Sequence, residues 1–212
     1  MVSFDIEAAF PSLDHGFLWL VLERYKVPAK VISMIKSLYF MHYVMIKVMG
    51  VVFEGFDVAS GIKQGCPSSG SIFALCLDPF VRYLCLRIPK PFGHFWAFAD
   101  DLAAVLAEVR KWLPMVIKCF ALLRLATSMK AHPRKTQIVP IGKEGVEEVK
   151  AWTSSLQAPW NEVKVDDHML HLGAMLGPGG KDAFWKTPLG RFQSFLATLC
   201  SMGMAWPSAT SG

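Results

Sequence analysis

The stretch FWAFADDLAAVL, Phe95 to Leu106, sets two adjacent carboxylates, Asp100 and Asp101, inside an otherwise apolar run. Successive side chains of a strand point to opposite faces, so neighbouring aspartates both reach water only at a turn. Burying either one unpaired would cost several kcal/mol. The run therefore reads as two short strands that meet at the aspartates. Its flanks, 95–99 and 102–106, would be anchored in a core.

The rest of the chain can supply that core. It has 212 residues, 53% hydrophobic and 18% charged, with a mean hydropathy of +0.35, which suits one domain or two small lobes and excludes a disordered chain. The net charge of +5 and pI of about 9.0 are compatible with a phosphate-rich partner, but the basic residues are spread out and form no tail. Cys66, Cys76, Cys85, Cys119 and Cys200 show no metal-ligand spacing. Their odd number, without a signal peptide, points to reduced thiols in an intracellular setting, most of them buried. The longest uncharged stretch, Phe192 to Gly212, contains Gln193, Gly203, Pro207 and several hydroxyl residues. It is too polar and broken to predict a membrane span. VSFDI reads as a core strand yet begins immediately after Met1, so the chain is expected to be a piece of a longer protein.

Periodicity places the other elements. Phe17 to Tyr25 has helical spacing, and Pro28 suits the first turn of a second helix with Val31, Ile32, Ile35, Leu38 and Tyr39 on one face. VMIKVMG and VVFEGFDVA predict a hairpin about Gly50. GIKQGCPSSG (61–70) is a loop, with Gly70 or Ser71 as cap of the long apolar helix that follows. Trp112 to Thr127 predicts a helix with Pro114 in its first turn, and KTQIVPIG and HLGAMLG predict short strands. Residues 142–167 are mixed and assign to nothing. The mixture is α+β, without strict alternation.

Asp5 follows one strand and Asp100–Asp101 sit between two others. Brought side by side, such residues make a hard-oxygen site for Mg²⁺. Two ions held there could clamp the attacking and leaving oxygens of a phosphoryl transfer. A solvated turn remains the plain alternative for the pair alone.

The ordered series FDIEAAF (4–10), GIKQGCPSSGSIF (61–73), FADDLA (98–103), HPRKTQIV (132–139) and HLGAMLG (171–177) resembles the palm motifs of reverse transcriptases. The likeness is greatest to the non-LTR retrotransposon (LINE-type) group, with group II intron enzymes near it. Pro11-Ser12, Ser68, His132 and His171 depart from the family pattern, and none of them replaces a metal ligand.

The resemblance implies a polymerase palm with partial fingers over 1–177, in which an antiparallel sheet carrying the aspartates packs on helices. The fingers hairpin would be at about 43–60, and 178–212 would lead towards a thumb. A triphosphate-holding fingers region would precede Asp5 in a fuller protein. The implied activity is RNA-directed DNA synthesis from an RNA template, a DNA primer and deoxynucleoside triphosphates, in the cell interior and with the nucleus as one candidate compartment. An inactive remnant, or a nucleic-acid-binding module of the same descent, is the alternative.

By the same resemblance, Asp5, Asp100 and Asp101, with the Ile6 carbonyl, would hold two Mg²⁺ ions, or Mn²⁺. Lys135 would protonate the leaving pyrophosphate. Phe10 would lie under the incoming sugar and exclude a 2′-OH, with core packing as its other reading. Gln64 and Gly65 would contact the nucleotide and template, while Pro67 and Ser69 shape their loop. Leu172 and Gly173 would grip the primer end.

Overall fold

Strand β1 (Val2–Phe4) lies at the centre of a five-stranded sheet. It buries Val2 and Phe4 on one side and turns Ser3 to the other. β2 (Ile6–Glu7), α1 (Ala9–Ser12), α2 (His15–Arg24), α3 (Ala29–Tyr39), the hairpin β3 (Tyr43–Val48) and β4 (Val51–Asp57), and α4 (Ser69–Arg87) follow. Next come β5 (Gly93–Phe98), β6 (Asp101–Leu106), α5 (Val109–Thr127), β7 (Lys130–Ala131), a 3₁₀ turn (Pro133–Lys135) and β8 (Gln137–Ile138). The chain continues through α6 (Val146–Ser154), a second 3₁₀ turn (Trp160–Glu162), β9 (Lys164–Val165), β10 (Met169–His171), β11 (Ala174–Leu176) and α7 (Lys186–Ser201). This computed structural model describes residues 1–39, 43–58, 60–180 and 184–201.

The sheet order is β5-β6-β1-β8-β9. β1 pairs antiparallel with β6, Val2 opposite Ala104 and Phe4 opposite Leu102, and with β8, Val2 opposite Ile138. The period of two then assigns the faces. Val2, Phe4, Leu102, Ala104 and Ile138, all at most 1% exposed, look towards the helices. Phe4 meets Phe120 of α5 at 5.2 Å between ring centroids, and Phe80 of α4 meets the same ring at 5.0 Å. Fully burying an aromatic such as Phe4 contributes about 2–3 kcal/mol. This packing is what holds the aspartate strands in place.

Several sequence expectations need correction. The sheet is not wholly antiparallel, because β9 joins β8 in parallel. That strand and α6 come from residues 142–167, whose short mixed pattern showed no period. α5 starts at Val109, so Pro114 lies inside the helix rather than in its first turn. α4 starts at Ser69, after Ser68 at the N-cap, so neither Gly70 nor Ser71 caps it. On α3 only Ile32, Ile35 and Tyr39 are buried, while Val31 and Leu38 are exposed. Among the described thiols Cys76 and Cys119 are buried, but Cys66 is half-buried and Cys85 exposed, so burial is not the rule. The side chain of Cys200 and all of residues 202–212 lie outside the described residues.

α4 is the one described helix long and apolar enough to cross a membrane. Ile72, Phe73, Cys76, Leu77, Phe80 and Leu84 on it are buried in the protein core, and its Asp78 pairs with Arg82 one turn on. A core helix accounts for it.

Candidate functional site at the carboxylate end of the central sheet

Asp5 interrupts the chain between β1 and β2, one residue beyond the Phe4–Leu102 pair. That pair is the last of the register, so Asp5 and Asp101 each lie one residue beyond it, at the same end of the sheet. Both belong by periodicity to the Ser3 face, away from the helices. Across the other edge of β6, Asp101 pairs with Phe98, which leaves Ala99 and Asp100 as the two residues of the turn. Ala99 takes a left-handed φ of 53°, a conformation that costs an L-residue about 1 kcal/mol. Asp100 and Asp101 are exposed and Asp5 is half-buried. Adjacent charges thus sit where water solvates them, as their order in the sequence requires.

The 3₁₀ turn is tied to the same place. The His132 N–H donates to the Asp5 carbonyl at 2.8 Å, and Lys135 Nζ lies 3.7 Å from Asp5 Oδ2. With the two side chains 63% and 39% exposed, this ion pair contributes little to stability. Its value is positional. Ile6 follows Asp5 into β2 and pairs with Ala131, which brings the strand leading to His132 alongside.

A second group forms around α1. The Phe10 ring stacks on Phe73 of α4, with centroids 4.6 Å apart and planes at 14°. Its carbonyl accepts the Ile62 N–H at 2.8 Å. Gln64, Gly65 and Pro67 are exposed in the loop beyond. Gly65 has φ 86° and nothing within 4 Å of where a Cβ would stand, so the backbone is open to close approach there. Ser69 is buried, and its hydroxyl donates to the Lys63 carbonyl at 2.5 Å, which closes the loop onto the start of α4.

The third group is the β10–β11 hairpin. Leu172 and Gly173 form its two-residue turn, both with positive φ (48° and 80°), the form that suits a tight hairpin. Two contacts tether it to the sheet that the sequence did not signal. Ser3 Oγ and His171 Nδ1 are 3.2 Å apart, and Gln137 Nε2 donates to the His168 carbonyl at 2.9 Å.

The structure therefore brings Asp5, Asp101 and Lys135 to one sheet end, with Asp100 in the adjoining turn. Phe10 joins the loop of Gln64, Gly65, Pro67 and Ser69, while Leu172 and Gly173 stand on a separate hairpin. Among the described residues, one trio has metal-ligating atoms mutually within 4.8 Å: Asp166, Asp167 and His168. It follows β9 at the opposite end of the sheet, and it is not the predicted trio. Nor do the predicted carboxylates line a cavity of about 810 Å³ among the described residues, which lies against Glu7, Phe120, Arg124, His132 and Trp160.

Comparison with known proteins bears on the whole arrangement. The family described as "Reverse transcriptase (RNA-dependent DNA polymerase)" matches residues 1–166. The chain is 31% identical over 121 residues to the Pol polyprotein of the type-2 retrotransposable element R2DM of Drosophila melanogaster, covering 55% of this chain and 11% of that protein. It is 28% identical over 151 residues to the Pol polyprotein of the type-1 element R2 of Nasonia vitripennis, covering 66% and 14%. It is 27% identical over 115 residues to an uncharacterized 149 kDa protein of transposon TX1 of Xenopus laevis, covering 51% and 9%. The chain thus spans about a tenth of the length of these relatives. With most of its length matched by that one family, the chain belongs to the reverse transcriptase family.

Proposed function

We propose that the chain is the palm, with part of the fingers, of an RNA-directed DNA polymerase from a LINE-type retrotransposon-like element. Residues 1–177 would make this unit, with β3–β4 as the fingers hairpin and the segment from 178 leading towards a thumb. The observation that carries the reading is the β1–β6 register, which brings Asp5 and Asp101 to the same end of the sheet, beside the Ala99–Asp100 turn and with Lys135 3.7 Å from Asp5.

The donor set fits a hard divalent cation. Three carboxylates and the Ile6 carbonyl offer only oxygen, which suits Mg²⁺ and also Mn²⁺. The exposure of Asp100 and Asp101 leaves their oxygens accessible. When bound, two such ions lower the pKa of the primer 3′-hydroxyl and neutralise the departing pyrophosphate.

The chain's own residues do the rest. Asp5, Asp100 and Asp101 fix the ligand positions, since the strands that carry them are locked by buried Val2, Phe4, Leu102 and Ala104. Phe10 walls off the 2′ position of the incoming sugar, and the Phe73 stack keeps that wall rigid. Gln64 and Gly65 meet the nucleotide and template, on a loop shaped by Pro67 and Ser69. Lys135, already beside Asp5, donates a proton to the leaving group. Leu172 and Gly173 hold the primer end. RNA template, DNA primer and deoxynucleoside triphosphates are the partners.

Primer extension on an RNA template with Mg²⁺ tests this. Asp100→Ala is expected to lower the rate at least about 100-fold, about 2.7 kcal/mol of barrier. Extension that survives the substitution would falsify the metal assignment.

A further inference from the structure

The loop from Gly61 to Ser68 has no regular structure over most of its length, so its backbone polar groups need partners from elsewhere. Those partners come mainly from one stretch, residues 10–15. Gly61 N–H donates to the Leu13 carbonyl and Ile62 N–H to the Phe10 carbonyl, both at 2.8 Å. In return, the Gly61 carbonyl lies 2.8 Å from Nε2 of His15. A carbonyl can only accept, so that nitrogen carries the proton. Gly61 itself has no room to shift. Its φ is +90°, and a Cβ there would stand 2.7 Å from the Pro11 carbonyl oxygen.

His15 is held as firmly as the group it binds. It opens α2, and its ring packs 5.9 Å from Trp19, one turn along the same helix. The Tyr39 ring of α3 meets it edge-on at 5.1 Å. Trp19 and Tyr39 also touch each other at 6.0 Å, and Lys36 Nζ lies 5.4 Å over the Trp19 ring. Burial pushes the Tyr39 hydroxyl up. The loop is therefore gripped at its start by His15 and further along by Ser69, whose hydroxyl donates to the Lys63 carbonyl. Gln64 and Gly65 project beyond these points.

We propose that His15 is a positioning residue. Its Nε2–H bond to Gly61, braced by Trp19 and Tyr39, sets the course of the loop and presents Gln64 and Gly65 to a deoxynucleoside triphosphate. The proposal rests on the reading of this loop as the nucleotide-contacting element. It adds a residue that touches no nucleotide itself and acts through Gly61. Because Ile62 bonds to the Phe10 carbonyl, the same tie couples the loop to the aromatic wall under the sugar.

Two substitutions in the full chain separate the hydrogen bond from simple packing. His15→Phe keeps a ring against Trp19 and Tyr39 but has no donor, whereas His15→Gln keeps an N–H of similar reach. Amide hydrogen exchange of the free protein is expected to speed up about 10-fold at Gly61 and Ile62 in His15→Phe, with β1 and β6 unchanged and His15→Gln near wild type. The Kd for a fluorescent deoxynucleoside triphosphate, measured with primer–template and Mg²⁺, is expected to rise about 5–10-fold in His15→Phe and to stay within about twofold in His15→Gln. Unchanged exchange in His15→Phe, or equal acceleration by both variants, overturns the positioning role. An exchange response with unchanged Kd overturns the nucleotide role of the loop, and leaves the carboxylates to be judged by Asp100→Ala.

Discussion

The hairpins β5–β6 and β3–β4 look alike as sequence, each apolar, β-branched or aromatic, and closed by a tight turn. Their surroundings differ at β6 but not at β5, where Trp96 and Phe98 are 52% and 67% exposed, so the flank 95–99 is not anchored in the core as its apolar sequence suggests. Leu102, Ala103 and Ala104 of β6 are at most 2% exposed, whereas Met45, Ile46, Val48, Val51, Val52, Phe53 and Phe56 of β3–β4 are 43–66% exposed. β6 has β1 on its free edge and α5 against its face, while β3 and β4 form a sheet of their own. A strand is buried by its neighbours, not by its own composition. The charged end of the molecule is built on the first kind of hairpin, and the second projects an apolar surface.

The largest test of this contrast is truncation of a phenylalanine in each region. Phe4→Ala, beside β6, is expected to cost about 3–5 kcal/mol in urea unfolding. Phe53→Ala on the free hairpin should cost no more than about 0.5 kcal/mol. Comparable losses would mean that β3–β4 is covered in solution and would break the comparison.

Smaller effects should separate two glycines with similar backbone. Gly50, in the β3–β4 turn, has φ +86° and open space around it, so Gly50→Ala is expected to cost about 1 kcal/mol. Gly61 has φ +90° and presses on Pro11, so Gly61→Ala should cost about 2 kcal/mol or more in the same measurement. Equal costs would show that the close approach at Pro11 relaxes freely.

The mildest probe leaves stability alone and reads thiol chemistry. Burial pushes the Cys76 thiol up to about 12, whereas hydrogen bonds from Ser68 hold the Cys66 thiol below its ordinary range. The thiolate is the reactive form. Cys66 should therefore react well before Cys76 with a thiol reagent near pH 8, and Cys76 only on unfolding. Early labelling of Cys76 would show that the α4 core opens far more readily than its packing implies.

Much was legible before any coordinates. Adjacent aspartates in an apolar run required a turn, and β5–β6 supplies it at Ala99 and Asp100. The hairpin about Gly50, the loop from Gly61 and the helical segments were readable from glycine, proline and periodicity. Parallel β9 was not, since two residues carry no period and their pairing with β8 depends on partners 27 residues apart in sequence, Gln137 with Lys164. The start of α5 was misjudged because proline is easiest to accept in a first turn, and tertiary packing keeps Pro114 within the helix. His15 was passed over because nothing local in its sequence points to Gly61.

The sequence by itself determined the residue types and their order: carboxylates after apolar strands, glycines where the backbone must turn left-handed, and a motif series that places the chain in its family. Those are consequences of local sterics and solvation, which a short stretch already contains. Only the tertiary structure decided that Asp5 and Asp101 come to the same sheet end, that Lys135 comes to 3.7 Å from Asp5, and that His15 holds Gly61. Each of these joins residues far apart in the chain, and sheet register and core packing, rather than any local preference, bring them together.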